Sequence, residues 1–364
     1  MEGRLLMVPG PTNISAKVRE IMSEPQIGHT DADFVKEFPE TLQLARRAFK
    51  NSKGYQYVFT GTGTVGMEAA VAATVEEGDR VLVINTGYFG QRMADINKCY
   101  GARVEELTFP FGGAADPDSV RRMLTKEKFK ALYVTHVDTG SSACNPIGEV
   151  VSEAKKAGVM AIVDGVCSVG GIELDFDRMG ADLAFTGSQK ALAAPPGAVL
   201  IAVSASFQAL LEAKRGRIKT YYANLLNWKT VMDEPKMYFA THAVQVLRAL
   251  RQALREVDAE GLEARWRRHA SNAKTIREGV EEKGFKLVAE ANFRADTVSG
   301  IWTPDDAAPE IQMRLRDKHK MDVARGLKEN GPKMIRVGHL GNLTEKEARS
   351  FVKAFGESVK GLGA

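Results

Sequence analysis

The chain has 364 residues, 44% hydrophobic and 26% charged, with 50 Lys+Arg against 46 Asp+Glu and a formal charge of +4. That near-balance excludes a dedicated nucleic-acid or membrane-surface protein, no apolar run approaches the roughly 18 residues of a membrane helix, and the apolar patch in residues 1–9 is too short for a signal peptide. Cys99, Cys144 and Cys167 cannot all pair internally and have no CxxC spacing, so neither a disulfide frame nor a metal site is expected, and a soluble protein of the reducing cytoplasm is.

Residues 55–205 alternate short apolar runs with helical patterns. Residues 55–60 read as a strand, rich in aromatic and β-branched side chains. Residues 64–77 have helical composition and stop at Gly78-Asp79. Residues 80–85 read as the next strand, 89–100 as a helix and 103–109 as a further strand. Residues 130–136, 159–164, 182–186 and 198–203 are strand-like. Strands alternating with helices imply βαβ units and a mostly parallel sheet covered on both faces. Residues 243–257 form an amphipathic helix whose arginines, Arg248, Arg251 and Arg255, read as a solvated face. After about residue 255 the pattern becomes that of a smaller α+β unit. It has a long charged helix over 260–282, short strands at 285–289, 297–303, 321–324 and 334–339, and a capping box at Thr344-x-x-Glu347 that opens a last helix.

In open α/β sheets ligands sit beyond the carboxyl ends of the strands. Three motifs fall there. Gly61-Thr62-Gly63-Thr64-Val65-Gly66 follows a strand and opens a helix, an arrangement that lets backbone N–H groups approach a phosphate. A dinucleotide site also needs an acid at the end of the next strand, and that strand ends at Asn85, so a nicotinamide cofactor is disfavoured. Asp164 ends the strand-like run Ala161-Ile162-Val163, where a carboxylate needs a cation or a turn to cap. Lys190 follows Phe185-Thr186-Gly187-Ser188-Gln189 and precedes Ala191-Leu192-Ala193-Ala194-Pro195-Pro196-Gly197. A lysine among Ala, Leu and Pro is a candidate for desolvation, which lowers its pKa and makes it a better nucleophile. A phosphate cradle, a carboxylate and a lysine on one sheet edge are what pyridoxal phosphate requires. Arg336, inside the apolar run Met334-Ile335-Arg336-Val337, needs an anion, so a buried salt bridge is expected there.

With these motifs the chain resembles the fold-type-I, class-V pyridoxal-phosphate aminotransferases, and most of all the alanine–glyoxylate / serine–pyruvate branch. The resemblance runs from Val8-Pro9-Gly10-Pro11-Thr12-Asn13 to Arg336-Val337-Gly338-His339-Leu340-Gly341. Its most specific stretches are Asp164-Gly165-Val166-Cys167-Ser168-Val169-Gly170-Gly171 and Ser188-Gln189-Lys190-Ala191-Leu192. It implies an N-terminal segment (1–20), a large cofactor-binding α/β domain (21–258) and a small C-terminal α+β domain (259–364). By resemblance, Lys190 would carry the cofactor as a Schiff base and Asp164 would pair with the pyridine nitrogen. Thr62, Gly63, Thr64 and Gln189 would surround the phosphate, Phe89 and Val166 would pack on the two ring faces, and Thr139 would approach the ring hydroxyl. Arg336 would fork the substrate carboxylate, with Gly10 lining the substrate side. Tyr238 and Thr241 resemble phosphate contacts that this family supplies from a second subunit, which implies a homodimer with shared active sites.

The activity implied is ping-pong transfer of an amino group from serine or alanine to glyoxylate or pyruvate. Aspartate, ureidoglycine or aminoethylphosphonate as donor stays open. A lyase or desulfurase is disfavoured because residues 168–364 contain no cysteine for a mobile nucleophile. A regulator that has lost turnover is disfavoured by the presence of Lys190, Asp164 and Arg336. Two places depart from the family pattern: His136-Val137-Asp138-Thr139-Gly140-Ser141-Ser142, and Phe239-Ala240-Thr241-His242-Ala243, in which His242 reads as a neutral packing histidine. The tail 360–364 lacks a Ser-Lys-Leu-type address.

Overall fold

The computed structural model describes residues 3–362. The ends of the sequence, including the last two residues of the 360–364 tail, lie outside the described residues. The strands in chain order are β1 (Leu5–Leu6), β2 (Tyr55–Thr60), β3 (Arg80–Asn85), β4 (Arg103–Thr108), β5 (Ala131–Thr135), β6 (Met160–Asp164), β7 (Leu183–Gly187), β8 (Ala198–Val203), β9 (Val298–Trp302), β10 (Met321–Asp322), β11 (Ala324–Arg325) and β12 (Met334–Gly338).

The large sheet has the order β2-β8-β7-β6-β5-β3-β4. Strand β8 alone runs against its neighbours, antiparallel to both β7 and β2, while β3, β4, β5, β6 and β7 pair in parallel. The mostly parallel α/β sheet read from the sequence is therefore present. Every residue of β5, β7 and β8 is buried, as continuous apolar strands covered on both faces must be. Helix Gly63–Thr74 covers one stretch of the sheet against β7 and β8, and Ile147–Lys156 lies against β5 and β6.

A second, smaller core gathers Ile276, Ile301, Ile335, Val337, Phe351 and Phe355 around the antiparallel sheet β11-β12-β9. Met7 joins this core, and its carbonyl accepts the Gly338 N–H at 2.7 Å. The amino-terminal strand β1 pairs with β10, so the start of the chain is built into the smaller body before it crosses to the large sheet. The Thr344–Glu347 capping box is formed, with both reciprocal bonds made.

Three expectations need correction. Residues 285–289 are not a strand; Leu287 makes only an isolated bridge with Ile301. The 321–324 run splits into the two-residue strands β10 and β11. Arg248 and Arg251 are not a solvated face; of the three arginines, Arg255 is exposed. Helix Ala32–Phe49 lies along theirs and supplies Glu37 and Glu40. Arg248 bonds Glu37 at 3.0 Å and Glu24 at 2.6 Å, Arg251 is 8% exposed and bonds Glu37 at 2.9 Å, and Arg255 bonds Glu40 at 2.6 Å. The arginine stripe was visible in the sequence, but its acidic partners, some 210 residues away, had no local signal.

Candidate active site

The segments carrying the three motifs leave the same carboxyl edge of the large sheet. β2 runs into Gly61-Thr62 and the helix Gly63–Thr74, β6 ends on Asp164, and β7 ends on Gly187 and runs into Ser188-Gln189-Lys190. The parallel strands β3 and β5 bring two more loops there, carrying Phe89 and Thr139. Gly63 is buried while Thr62 and Thr64 are exposed, so the helix N-terminus opens outward between two hydroxyl side chains. A Cβ on Gly63 would stand 2.8 Å from Val166, which explains why the cradle needs a glycine at that point.

The Lys190 loop is tightly held. Ser188 Oγ donates to the Pro195 carbonyl at 2.6 Å and accepts the Ala198 N–H at 3.2 Å, closing the turn. Thr12 Oγ1 donates to the Lys190 carbonyl at 3.0 Å, and the buried Arg265 donates to the Ala191 carbonyl at 2.6 Å. The Lys190 ammonium donates to the Pro9 carbonyl. A Cβ on Gly10 would meet Lys190 Cδ at 2.8 Å, so the amino-terminal segment passes directly over the lysine. Burial pushes the Lys190 pKa below that of an ordinary lysine, with Arg336 adding to the fall and Asp164 opposing it.

Asp164 is 3% exposed. Its carboxylate accepts the Val166 N–H at 2.9 Å and, at 3.5 Å, the Thr135 hydroxyl. Burial raises its pKa to about 7, despite the Val166 bond. A carboxylate so poorly paired is built for a cation that those neighbours do not supply. Gln189 Oε1 is likewise buried without a hydrogen-bond partner among the described residues, and the empty Cβ position of Gly187 separates it from the Gly63 N–H.

Phe89 is half-buried at the start of helix Tyr88–Cys99. Its N–H donates to the fully buried carboxylate of Asp138 at 2.7 Å. Thr139, next in the chain, gives its carbonyl to Arg336 Nη1 at 3.0 Å, and Arg336 Nε donates to the Arg325 carbonyl at 2.9 Å. The buried salt bridge expected for Arg336 is not formed among the described residues; two carbonyls, which an apolar sequence run cannot advertise, hold the guanidinium instead. Carbonyls orient it without neutralising its charge.

Tyr238 is 63% exposed and its ring lies tilted against that of His29 at 5.2 Å, and Thr241 is exposed too. His242 is buried among Phe34, Phe38 and Trp228, and burial lowers its pKa to about 4, so it is neutral. Asn85 donates to Gln91 and Glu106 and accepts the Gly87 N–H, which serves the turn before Phe89. Sequence reasoning quoted Ser188 and Asp138 without assigning their structural roles and missed Arg265. Only Asp138 carried a signal, the Asp-x-Gly spacing of Asp138 and Gly140, which favours a side-chain-capped turn.

A mostly parallel sheet with a helix N-terminus, a desolvated lysine and an under-paired aspartate on one edge has the chemistry to hold a phosphate-bearing group that carries a carbonyl. The family description "Aminotransferase class-V" matches residues 14–342. An uncharacterized aminotransferase of Methanocaldococcus jannaschii is 34% identical over 99% of this chain and 94% of its own. The alanine–glyoxylate aminotransferase 1 of Saccharomyces cerevisiae is 32% identical over 92% of this chain and 91% of its own. The crystal structure of an alanine–glyoxylate aminotransferase from Nostoc sp. superposes with a TM-score of 0.94 at 31% identity, covering 99% of this chain and 96% of that one. The chain belongs to the class-V aminotransferase family, and the enzyme is a transaminase.

Proposed function

We propose that the enzyme transfers the amino group of a small L-amino acid, serine or alanine, to glyoxylate or pyruvate, using pyridoxal 5′-phosphate. The observation that carries the reading is the pairing of a desolvated Lys190 with a buried, under-compensated Asp164 on one sheet edge. These residues fit the cofactor: Asp164 gains the pyridinium as its missing cation, the Gly63 cradle and the orphaned Gln189 side chain suit the phosphate, and Phe89 and Val166 suit the ring faces. When bound, the cofactor supplies the carbonyl that takes up the amino group and the electron sink that makes the α-proton acidic.

The protein's own groups do the rest. Lys190, whose pKa burial lowers, would supply the amine that anchors the cofactor and, once displaced, would take and return the α-proton. Arg336, held by carbonyls, pairs with the substrate carboxylate bidentately and so fixes which bond at Cα stands perpendicular to the ring. Thr139 gives its carbonyl to Arg336, and its hydroxyl would serve the ring oxygen. The half-reactions share one site, which gives ping-pong kinetics.

We assign Tyr238 and Thr241 to the neighbouring active site of a homodimer. Their exposure supports this, as does the surrounding apolar surface, where Tyr221 is 74% and Met237 49% exposed. Among the described residues no helix is long and apolar enough to cross a membrane. The test is a visible absorbance scan followed by titration with L-serine, L-alanine and L-aspartate. A cofactor band near the visible edge that one of the first two donors bleaches supports the reading. No band, even with added pyridoxal phosphate, overturns it, and bleaching by aspartate alone overturns the donor.

A further inference from the structure

Arg92 lies one helical turn beyond Phe89 and has no carboxylate within 4.0 Å among the described residues, whereas most arginines of this chain are ion-paired. Its guanidinium is held in another way. Its Cζ lies 4.8 Å from the Phe89 ring centroid and 5.1 Å from that of Tyr88. Nη1 donates to Thr64 Oγ1 at 3.2 Å and Nη2 to the Tyr88 hydroxyl at 3.4 Å. Thr64 sits in the first turn of helix Gly63–Thr74, whose N-terminus forms the cradle.

We infer that Arg92 is a cofactor-binding residue: through Thr64 it supplies the positive charge that balances the phosphate dianion. The inference rests on the pyridoxal-phosphate reading above and adds a residue to it. The N–H groups of a helix end offer about half an elementary charge, well short of a phosphate that carries nearly two. A guanidinium fixed at the Thr64 oxygen makes up part of the difference. Because Oγ1 accepts from Arg92, its own proton is free to donate into the cradle, and a donor polarised by a cation is a stronger one. Cation–π contacts with the two rings hold the guanidinium in place, so little side-chain freedom is lost when the phosphate arrives.

A guanidinium that only propped up Phe89 would affect the ring and not the phosphate, and the two roles separate by ligand. The experiment is an absorbance titration of apo-enzyme with pyridoxal phosphate and with pyridoxal, which lacks the phosphate. For Arg92→Gln, pyridoxal phosphate is expected to bind about tenfold or more weaker, the worth of a charged hydrogen bond, with pyridoxal affinity nearly unchanged. Arg92→Lys, which keeps the charge, is expected to recover part of the loss. Equal weakening for both ligands, or none for either, overturns the inference. Should Arg92→Gln not fold, Thr64→Val keeps the cation–π contacts and removes the relay; an unchanged ratio of the two affinities then overturns it. Wild-type apo-enzyme that binds neither ligand instead refutes the cofactor reading on which the inference stands.

Discussion

The carboxylate of Asp138 accepts the backbone N–H of Phe89 at 2.7 Å, and that bond links the start of the helix carrying Phe89 to the loop that holds Arg336. The same carboxylate accepts the N–H groups of Gly90, Gly140 and Ser141, so it binds a helix start and its own loop together. Thr139 in that loop presents its carbonyl to Arg336. Space is short: a Cβ on Gly87 would stand 2.6 Å from the Asp138 carboxyl carbon. Asp138→Asn turns a second acceptor into a donor facing N–H groups. It is expected to lower the unfolding free energy by about 2–3 kcal/mol, the cost of stranded buried donors, and to weaken both cofactor and amino-acid binding. Urea unfolding and ligand titration check this; unchanged values for all three would mean that the bonds only decorate the loop.

Arg336→Lys is expected to raise the KM for amino acids by about tenfold or more, since an ammonium cannot form the bidentate pair. Cofactor affinity is expected to hold, because the carbonyls of Thr139 and Arg325, not the cofactor, fix the guanidinium. Steady-state kinetics beside an absorbance titration separates the two. If the amino-acid KM stays where it was, Arg336 is not the carboxylate fork.

Lys190→Ala is expected to abolish transamination while the fold survives. The loop that carries residue 190 is held by Ser188, Thr12 and Arg265, none of which bonds the lysine side chain. Circular dichroism and the thermal midpoint should match wild type, and turnover should vanish. Normal turnover by the variant would refute the assignment of Lys190.

What the sequence disclosed and what it hid have physical causes. Strands β2, β3 and β8 have the bounds expected from the sequence, because their covered residues are largely apolar. Asp164, Lys190 and Gly63 were legible because chemistry at a strand end needs a residue type that is costly elsewhere. The partners were not legible. Glu37 for Arg251, Ala191 for Arg265 and the carbonyls on Arg336 are long-range contacts, several of them to backbone, and backbone acceptors look the same under every side chain. The helix Val244–Glu260 illustrates the limit: its apolar stripe was correctly read, but an arginine stripe looks the same whether it meets water or a row of glutamates.

The Asp164 environment gives a pH-dependent prediction for the apo-enzyme. Burial raises its folded pKa to about 7, against about 3.9 in an unfolded chain. The folded state therefore holds this proton more tightly than the unfolded one, and stability from this group falls as pH rises from about 4 through about 7. Above that window the ionised carboxylate costs the apo-fold up to about 4 kcal/mol, by the conversion of 1.36 kcal/mol per pKa unit. Asp164→Asn removes the cost, so the apo-variant is expected to be more stable than apo-wild type at pH 8, by an amount that shrinks toward pH 4. Bound cofactor is expected to reverse the order, because a cation set against the carboxylate lowers its pKa and makes the charge favourable. Denaturant unfolding of both proteins at pH 5 and pH 8, with and without pyridoxal phosphate, measures this. An apo-variant no more stable than apo-wild type at pH 8 would show that water or a neighbouring group already compensates Asp164, and the case for a missing cation at that carboxylate would fall with it.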